Sequence, residues 1–410
     1  MSVLPRGWSR ESLKRRVRFA YGDSLAAENR NDGDIQVFGS NGVVGTHDRS
    51  TTQSPAIVIG RKGSSGKLSW SDAACFPIDT TYFVDQTKTR EHLRWLFYAL
   101  DSLELDKINF DSAVPGLSRE LAYSLPLIFP PFSEQQTIAA YLDASCAAID
   151  AAVAAKRRQL DTLEALRKSI IQRAVTRGIA ADAALEPTGN VWLEQVPHGW
   201  ILVALKRIAE IRGGLTLGKQ YEGELVERPY LRVGNVQDGH LDLADVSVIE
   251  LPASVAAGVE LRPNDVLMTE GGDLDKLGRG HLWRGEIAGC LHQNHIFAVR
   301  CFAHKLKPMF LAYATAAQYG RDYFEATGKK TTNLANTNAT KVGQFPIPLP
   351  PLAEQEAICA HLDEKTAEVN RIAATITAQI DTLIAYRKSL IHECVTGQRR
   401  VTEADVAAIA

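Results

Sequence analysis

The chain has 410 residues, 45% of them hydrophobic and 23% charged, a globular composition with material for two to four domains. A net charge of −2 excludes an all-over polyanion-binding surface, so any nucleic-acid contact must be local. The six cysteines form no CxxC pair or disulfide framework, no basic and apolar leader opens the chain, and no apolar run reaches the roughly 20 residues that span a bilayer; together these predict a cytoplasmic protein without a membrane partner.

In chain order, "LPRGWSRESLKR" (Leu4 to Arg15) opens a segment of short β-branched runs broken by Gly and Asn-Gly turns: "DIQVFGSNGVVG" from Asp34, "PAIVIGRKG" from Pro55 and "IDTTYFVD" from Ile78. Within it, "GRKGSSGK" invites comparison with the phosphate loop GxxxxGK[ST]. With Gly66 and Lys67 as the GK pair, the first glycine falls on Arg61 and the hydroxyl on Leu68, so nucleotide binding is not expected. A helical stretch near "REHLRWLFYALDSL" leads to "FPPFSEQ", where a long helix begins. Its apolar positions Ile138, Leu142, Ile149, Val153, Leu160, Leu163 and Ile170 recur in helical steps, and Ser133 with Gln136 reads as a capping box at its start.

The chain then repeats itself. "PPFSEQQTIAAYLD" (Pro130 to Asp143) returns as "PPLAEQEAICAHLD" (Pro350 to Asp363), and "QLDTLEALRKSIIQRAVT" (from Gln159) returns as "QIDTLIAYRKSLIHECVT" (from Gln379), at an offset of 220 residues. The opening anchor returns as "VPHGWILVALKR" (Val196 to Arg207) at an offset of 192. The second helix keeps the stripe through Ile358, Leu362, Val369, Ile380, Leu383 and Leu390. Each helix, of about 45 residues, would form a rod of roughly 65 Å, and a stripe that narrow and long predicts that the rods pair with each other. The alternative, each rod covered by its own domain, requires a larger domain than either segment supplies. The predicted fold is α+β: two mixed α/β domains joined by two long antiparallel helices with a pseudo-two-fold internal repeat. The boundaries fall at 1–125 (first domain), 126–178 (first helix), 179–192 (linker), 193–345 (second domain), 346–398 (second helix) and 399–410 (tail).

The motifs "FPPFSEQ" and "LPPLAEQ", "RKS[IL]I" in both helices, "GSNGVVG" and "IGRKGSSG" in the first domain, and "YLRVGNVQDGHLDL", "HQNHIF" and "TTNLANTNATKVGQFPIPLP" in the second resemble those of the specificity subunits of type I restriction-modification systems. The resemblance covers nearly the whole chain. It implies two target recognition domains that each read one half of a split sequence in double-stranded DNA. It also implies antiparallel helices that act as a ruler and carry DNA methyltransferase subunits and ATP-dependent restriction subunits. No catalytic residue and no cofactor is implied for this chain; S-adenosylmethionine, ATP and magnesium are used by the partner subunits. The competing reading is a coiled-coil assembly protein whose two domains bind a ligand other than DNA.

Base reading calls for Arg, Asn and Gln at base edges, with Lys, Ser and Thr on phosphates. The candidate contacts are Ser40, Asn41, Arg61, Lys62, Ser64, Ser65 and Lys67 in the first domain, and Arg232, Asn235, Gln237, Gln293, Asn294, Lys329, Lys330, Thr331, Thr332 and Asn333 in the second. Cys290, His292 and His295 lack a fourth zinc ligand, so no metal is expected. "FPPF" lacks the Asp or Asn of an amino-methyltransferase motif, and its twin "LPPL" loses the aromatics, which makes both helix-entry devices. Asp265, Glu270, Asp273 and Asp275 read as a solvated acidic turn.

Overall fold

The computed structural model describes residues 4–107, 116–237, 239–272, 277–278, 280–330 and 335–409, the side chain of Lys330 excepted. The chain divides into two compact units, Met1–Arg158 with Thr377–Ala410, and Gln159–Ile376.

In chain order the first unit holds β1 (Ser9–Ser12), β2 (Ala20–Tyr21), β3 (Ile35–Gly39), β4 (Gly42–His47), β5 (Ala56–Gly60), β6 (Leu68–Ser71), β7 (Phe76–Pro77), β8 (Thr81–Asp85), α1 (Leu93–Asp101), α2 (Arg119–Ser124), β9 (Pro126–Phe129) and the first part of α3 (Phe132–Arg177). One sheet has the order β2-β8-β5-β6, a second the order β4-β3-β7, and β1 pairs with β9. The β3–β7 pair is parallel. Every residue of β5 and β8 is buried, as their unbroken runs "AIVIG" and "TYFVD" require of central strands covered on both faces.

The second unit contains the end of α3, then β10 (Leu185–Pro187), β11 (Gln195–Pro197), β12 (Ile201–Ala204), β13 (Ala209–Arg212), β14 (Val226–Leu231), β15 (Ser247–Leu251), α4 (Ala253–Val259), β16 (Asp265–Thr269), β17 (Gly271–Gly272), β18 (Gly280–Leu282), β19 (Leu291–His292) and β20 (Ile296–Cys301). There follow α5 (Pro308–Ala316), α6 (Gln318–Thr327), β21 (Lys329–Lys330), β22 (Ala335–Asn336), α7 (Ala339–Gln344), β23 (Pro346–Leu349) and the first part of α8 (Leu352–Val395). The end of α8 and α9 (Glu403–Ala407) belong to the first unit.

The sheets repeat the first unit strand for strand: β13-β20-β16-β18 matches β2-β8-β5-β6, β15-β14-β19 matches β4-β3-β7, and β12–β23 matches β1–β9. Pairing registers fix the equivalence of residues. Ala56 to Gly60 face Asp85 to Thr81, as Asp265 to Thr269 face Arg300 to Ile296. The same loop hydrogen bonds recur: Ile78 N–H donates to the Phe38 carbonyl at 2.9 Å, as Gln293 N–H does to that of Leu231 at 2.9 Å. Gly22 and Gly214 occupy one equivalent position, where a Cβ would fall within 2.2–2.3 Å of a carbonyl oxygen of the passing segment, so neither can carry a side chain.

Both long helices pair antiparallel within each unit. In the first, Lys156 of α3 bonds Gln379 of α8 at 2.6 Å, and Asp150 of α3 pairs with Arg387 of α8 at 3.2 Å. In the second, Ile171, Ala174 and Val175 of α3 share a core cluster with Ile358 and Leu362 of α8. Among the stripe residues, Ile138, Leu142, Ile149, Val153, Ile358, Leu362, Val369, Ile380 and Leu390 are buried, while Leu160, Leu163, Ile170 and Leu383 are half-buried.

Three sequence expectations need correction. The first long helix starts two residues earlier than its expected capping box would place it, with Gln135 N–H bonding the Pro131 carbonyl at 3.0 Å, so Ser133 lies inside the first turn; the second starts at the equivalent place, with Gln355 N–H bonding the Pro351 carbonyl at 3.0 Å. Residues 179–192, expected as a linker, contain β10, which pairs with β11 through Leu185↔Pro197. Among the described residues α3 is long and apolar enough by length and composition to cross a membrane, because its alanine-rich stretch 137–155 carries only Asp143 and Asp150 as charged residues. Both carboxylates are engaged by protein partners: Asp143 by Arg94 and Tyr98, Asp150 by Arg387.

The repeated "PP..EQ" motif joins each domain to its helix. The Gln135 amide donates to the Pro130 carbonyl at 3.0 Å and to Glu91, and accepts from His92 N–H at 2.8 Å. Fully buried Gln355 donates to the carbonyls of Pro350 at 2.9 Å and Lys305 at 3.0 Å, and accepts from Lys307 N–H at 2.8 Å. Beside them the indoles of Trp8 and Trp200 donate to Glu134 at 3.0 Å and Glu354 at 3.1 Å. About two turns on, the hydroxyls of Tyr98 and Tyr313 donate to Asp143 at 2.7 Å and Asp363 at 2.5 Å. Replacing Gln355 by Leu strands three buried backbone groups and is expected to lower stability by roughly 1–3 kcal/mol, read as a fall in the urea unfolding midpoint.

The end of α1 is held by α8: Lys388 pairs with Glu104, which also binds Lys107 at 2.7 Å. Hydrogen bonds from Lys107 and Lys388 lower the Glu104 carboxyl to a pKa of about 2. A carboxyl depressed in the folded state adds stability above its unfolded pKa, and that contribution is lost as pH falls through about 2. Carboxyl NMR of Lys388→Met should show the Glu104 titration moving up toward the ordinary carboxylate range, with the fold retained.

Candidate nucleic-acid interface

In the first unit three loops converge: the β3–β4 turn at Ser40–Asn41, the β5–β6 hairpin from Arg61 to Lys67, and the segment Asp79–Thr80. They are lashed together by backbone and side-chain bonds. Arg61 N–H and the Ser40 hydroxyl both donate to the Thr80 carbonyl, at 2.9 and 2.7 Å. The Arg61 guanidinium donates to the Asp79 carbonyl at 2.8 Å and lies over the Tyr21 ring, 5.2 Å from its centroid. Lys67 donates to the Asn41 side chain at 2.7 Å, and the Ser65 hydroxyl to the Arg61 carbonyl at 3.2 Å.

The hairpin is not a phosphate cradle. Most of its N–H groups are already engaged, Gly66 with the Gly60 carbonyl at 2.8 Å, Gly60 with that of Lys67 at 2.8 Å, and Arg61 and Lys62 with that of Thr80, so they do not form a ring of free donors around an anion. Gly66 has φ +78 and a Cβ there would lie 2.2 Å from the Leu105 backbone, so its glycine serves packing. Lys62 is exposed and Ser64 half-buried; with Lys67 they are the polar groups this hairpin presents outward. The hairpin walls a cleft of about 640 Å³ whose other side carries Asp101, Glu104 and Asp106.

The second unit builds the same convergence at equivalent positions. Glu270 takes the place of Arg61 and its N–H donates to the His295 carbonyl at 2.9 Å, as Arg61 N–H does to that of Thr80. The side chains differ: Glu270 pairs with the His295 ring at 2.8 Å where the first unit has a guanidinium stacked on tyrosine. Arg232 pairs with Asp245 at 2.7 Å. Asn235 is buried and spends its amide on the fold, accepting from Arg232 N–H at 2.7 Å and donating to the carbonyls of Asp242 at 2.8 Å and Asp245 at 2.9 Å. Gln237 donates to the Gly234 carbonyl at 2.6 Å. Arg232, Asn235 and Gln293 line a cleft of about 420 Å³ with Asp242 and Asp245, and half-buried Asn294 follows. Exposed Lys329 and its neighbour Lys330 form β21, away from these three segments in sequence and paired with β22. Thr331, Thr332 and Asn333 lie outside the described residues, as do Asp273 and Asp275.

The family model for the type I restriction modification DNA specificity domain matches residues 19–161, which hold the first loop cluster and the first helix entry. The match is a likeness of this segment, about a third of the chain, to the type I specificity domain. A putative type I restriction enzyme MjaX specificity subunit from Methanocaldococcus jannaschii is 26% identical over 204 residues, 49% of this chain and 47% of the relative, so the chain spans about half the length of that protein. The type I restriction enzyme EcoBI specificity subunit from Escherichia coli is 23% identical over 353 residues, 80% of this chain and 72% of the relative. A solved chain from work on complex assembly and conformational transition of the type I R-M system shares the fold: TM-score 0.71 at 15% identity, over 97% of this chain and 100% of that one.

Chemistry-bearing residues of the chain are otherwise taken up by structure. Cys290 sits in an apolar cluster with Trp283 and Leu267, and burial pushes its thiol up to about 12. The His292 ring faces the Val259 carbonyl at 3.0 Å, and burial lowers its pKa. Asp265 is not part of a solvated acidic turn: it is buried and makes a two-bond pair with Arg300 at 2.7 and 2.8 Å. Among the described residues no group of three or more His, Cys, Asp or Glu is arranged to hold a metal.

Sequence reasoning missed Tyr21, whose half-exposed ring also carries Arg119 at 4.9 Å from its centroid. It also treated Asn235 as outward-facing, although Asn in a turn commonly satisfies nearby backbone. Asn235→Ala is expected to cost roughly 1–3 kcal/mol of stability, seen as an earlier thermal or urea transition.

Proposed function

We propose that the chain is the DNA sequence-recognition subunit of a type I restriction-modification complex. Each domain reads one half of a bipartite duplex target, and the paired helices scaffold methyltransferase and motor-nuclease subunits in the cytoplasm. Methylation and cleavage belong to those partners, with their S-adenosylmethionine, ATP and magnesium; this chain supplies the address. The observation that carries the reading is the duplicated loop frame. Two equivalent scaffolds hold equivalent loops in one backbone geometry but furnish them with different side chains, Arg61 against Glu270 and Ile78 against Gln293. One frame with two sets of side chains suits reading two different half-sites, since fixed backbone positions the reader and side chains specify the base.

Mapping methylated bases across the host genome, with the gene present and deleted, tests this directly. One split motif should vanish on deletion, and an unchanged pattern in an otherwise active system would refute the assignment. Exchange of residues 1–125 for a foreign recognition domain should replace one half-site and leave the other.

A further inference from the structure

Resting on that reading, we infer that Gln293 is a base-discriminating residue of the second domain. Its backbone is fixed on both sides: its N–H donates to the Leu231 carbonyl at 2.9 Å, its carbonyl accepts from Ile296 N–H at 2.9 Å, and it bridges in parallel to Leu215. Gly214 presses against it, with space for no Cβ within 2.4 Å of the Gln293 carbonyl oxygen. The side chain thus leaves a rigid point of the fold.

The equivalent residue in the first domain is Ile78, bridged to Asp23 as Gln293 is to Leu215, and its side chain packs on the cluster of Leu25, Val37 and Phe76. The scaffold therefore accepts an apolar residue at this position. In the second domain it carries an amide that bonds to none of the described residues and borders the cleft walled by Arg232 and Asp245. Of the other amides, Asn235 is committed to Asp242 and Asp245 and Gln237 to Gly234, while Asn294, next in sequence, does not line the cleft. A half-buried amide left without a partner among the described residues gains nothing from them for the fold, whereas a donor and acceptor pair lining a cleft from a fixed backbone position matches the N6 and N7 edge of adenine.

The test is methylated-base mapping in the native host carrying Gln293→Ala or Gln293→Glu. Alanine should relax the choice at one base pair of one half-site, with occupancy of the parental site falling about 5- to 150-fold, and the other half-site should stay intact. Glutamate keeps the size, removes the donor, and should shift the preference at that same base pair toward cytosine. Parental motif and occupancy in both variants would overturn the inference, as would loss of all methylation with an unchanged unfolding midpoint. Should the alanine variant fail to fold, the isosteric glutamate variant decides alone. Failure of the broader reading looks different, since the unaltered gene would then direct no split motif at all.

Discussion

Two buried amides hold the architecture together. Gln135 and Gln355 each satisfy backbone groups on both sides of a junction, the proline carbonyl that precedes the helix and the N–H that leads into the domain's own helix. A neutral side chain with one acceptor and two donors can close such a gap without the cost of burying a charge. The prolines before each one forbid helix upstream, so the direction of each long helix is set where it meets its sheet. The Trp–Glu and Tyr–Asp bonds on either side repeat the same join twice, which is why these positions survive in both copies.

The two joins are not equally charged. In the first unit Arg94 bonds Asp143 at 2.6 Å while lying over Trp70, and Arg400 reaches Glu134 at 3.0 Å. In the second unit the residue equivalent to Arg94 is Met309, half-buried beside the core cluster, and the hydroxyl of Tyr313 serves Asp363 without a guanidinium. Salt screens exposed pairs at both joins, but the first has two guanidinium pairs, Arg94 with Asp143 and Arg400 with Glu134, where the second has the single pair of Lys307 with Glu356 among the described residues.

The helices were legible in the sequence because a long stripe repeated at a constant offset leaves little room for another structure. The two domains were legible as a mixed α/β pair, but the residue-by-residue equivalence between them was not. Equivalent residues drift apart in number, Gly22 with Gly214, Gly60 with Thr269, Ile78 with Gln293, as loops lengthen between strands. Central strands such as "AIVIG" and "DVLMT" share only burial, a demand that many sequences meet. The loop "GRKGSSGK" opens on Arg61 after β5, where the segment after β16 opens on Glu270, so one backbone place carries opposite charges. Composition marked Asn235, Lys67 and Asn41 as polar, but whether a polar group faces outward or binds its own backbone depends on folded geometry.

The exchange of helix ends has a consequence for synthesis. Residues 159–376 are contiguous and contain everything their unit needs, whereas the first unit joins 1–158 to 377–410. On the ribosome the domain translated first must wait, its helix seam uncovered, until the last segment emerges. The domain translated second is completed first.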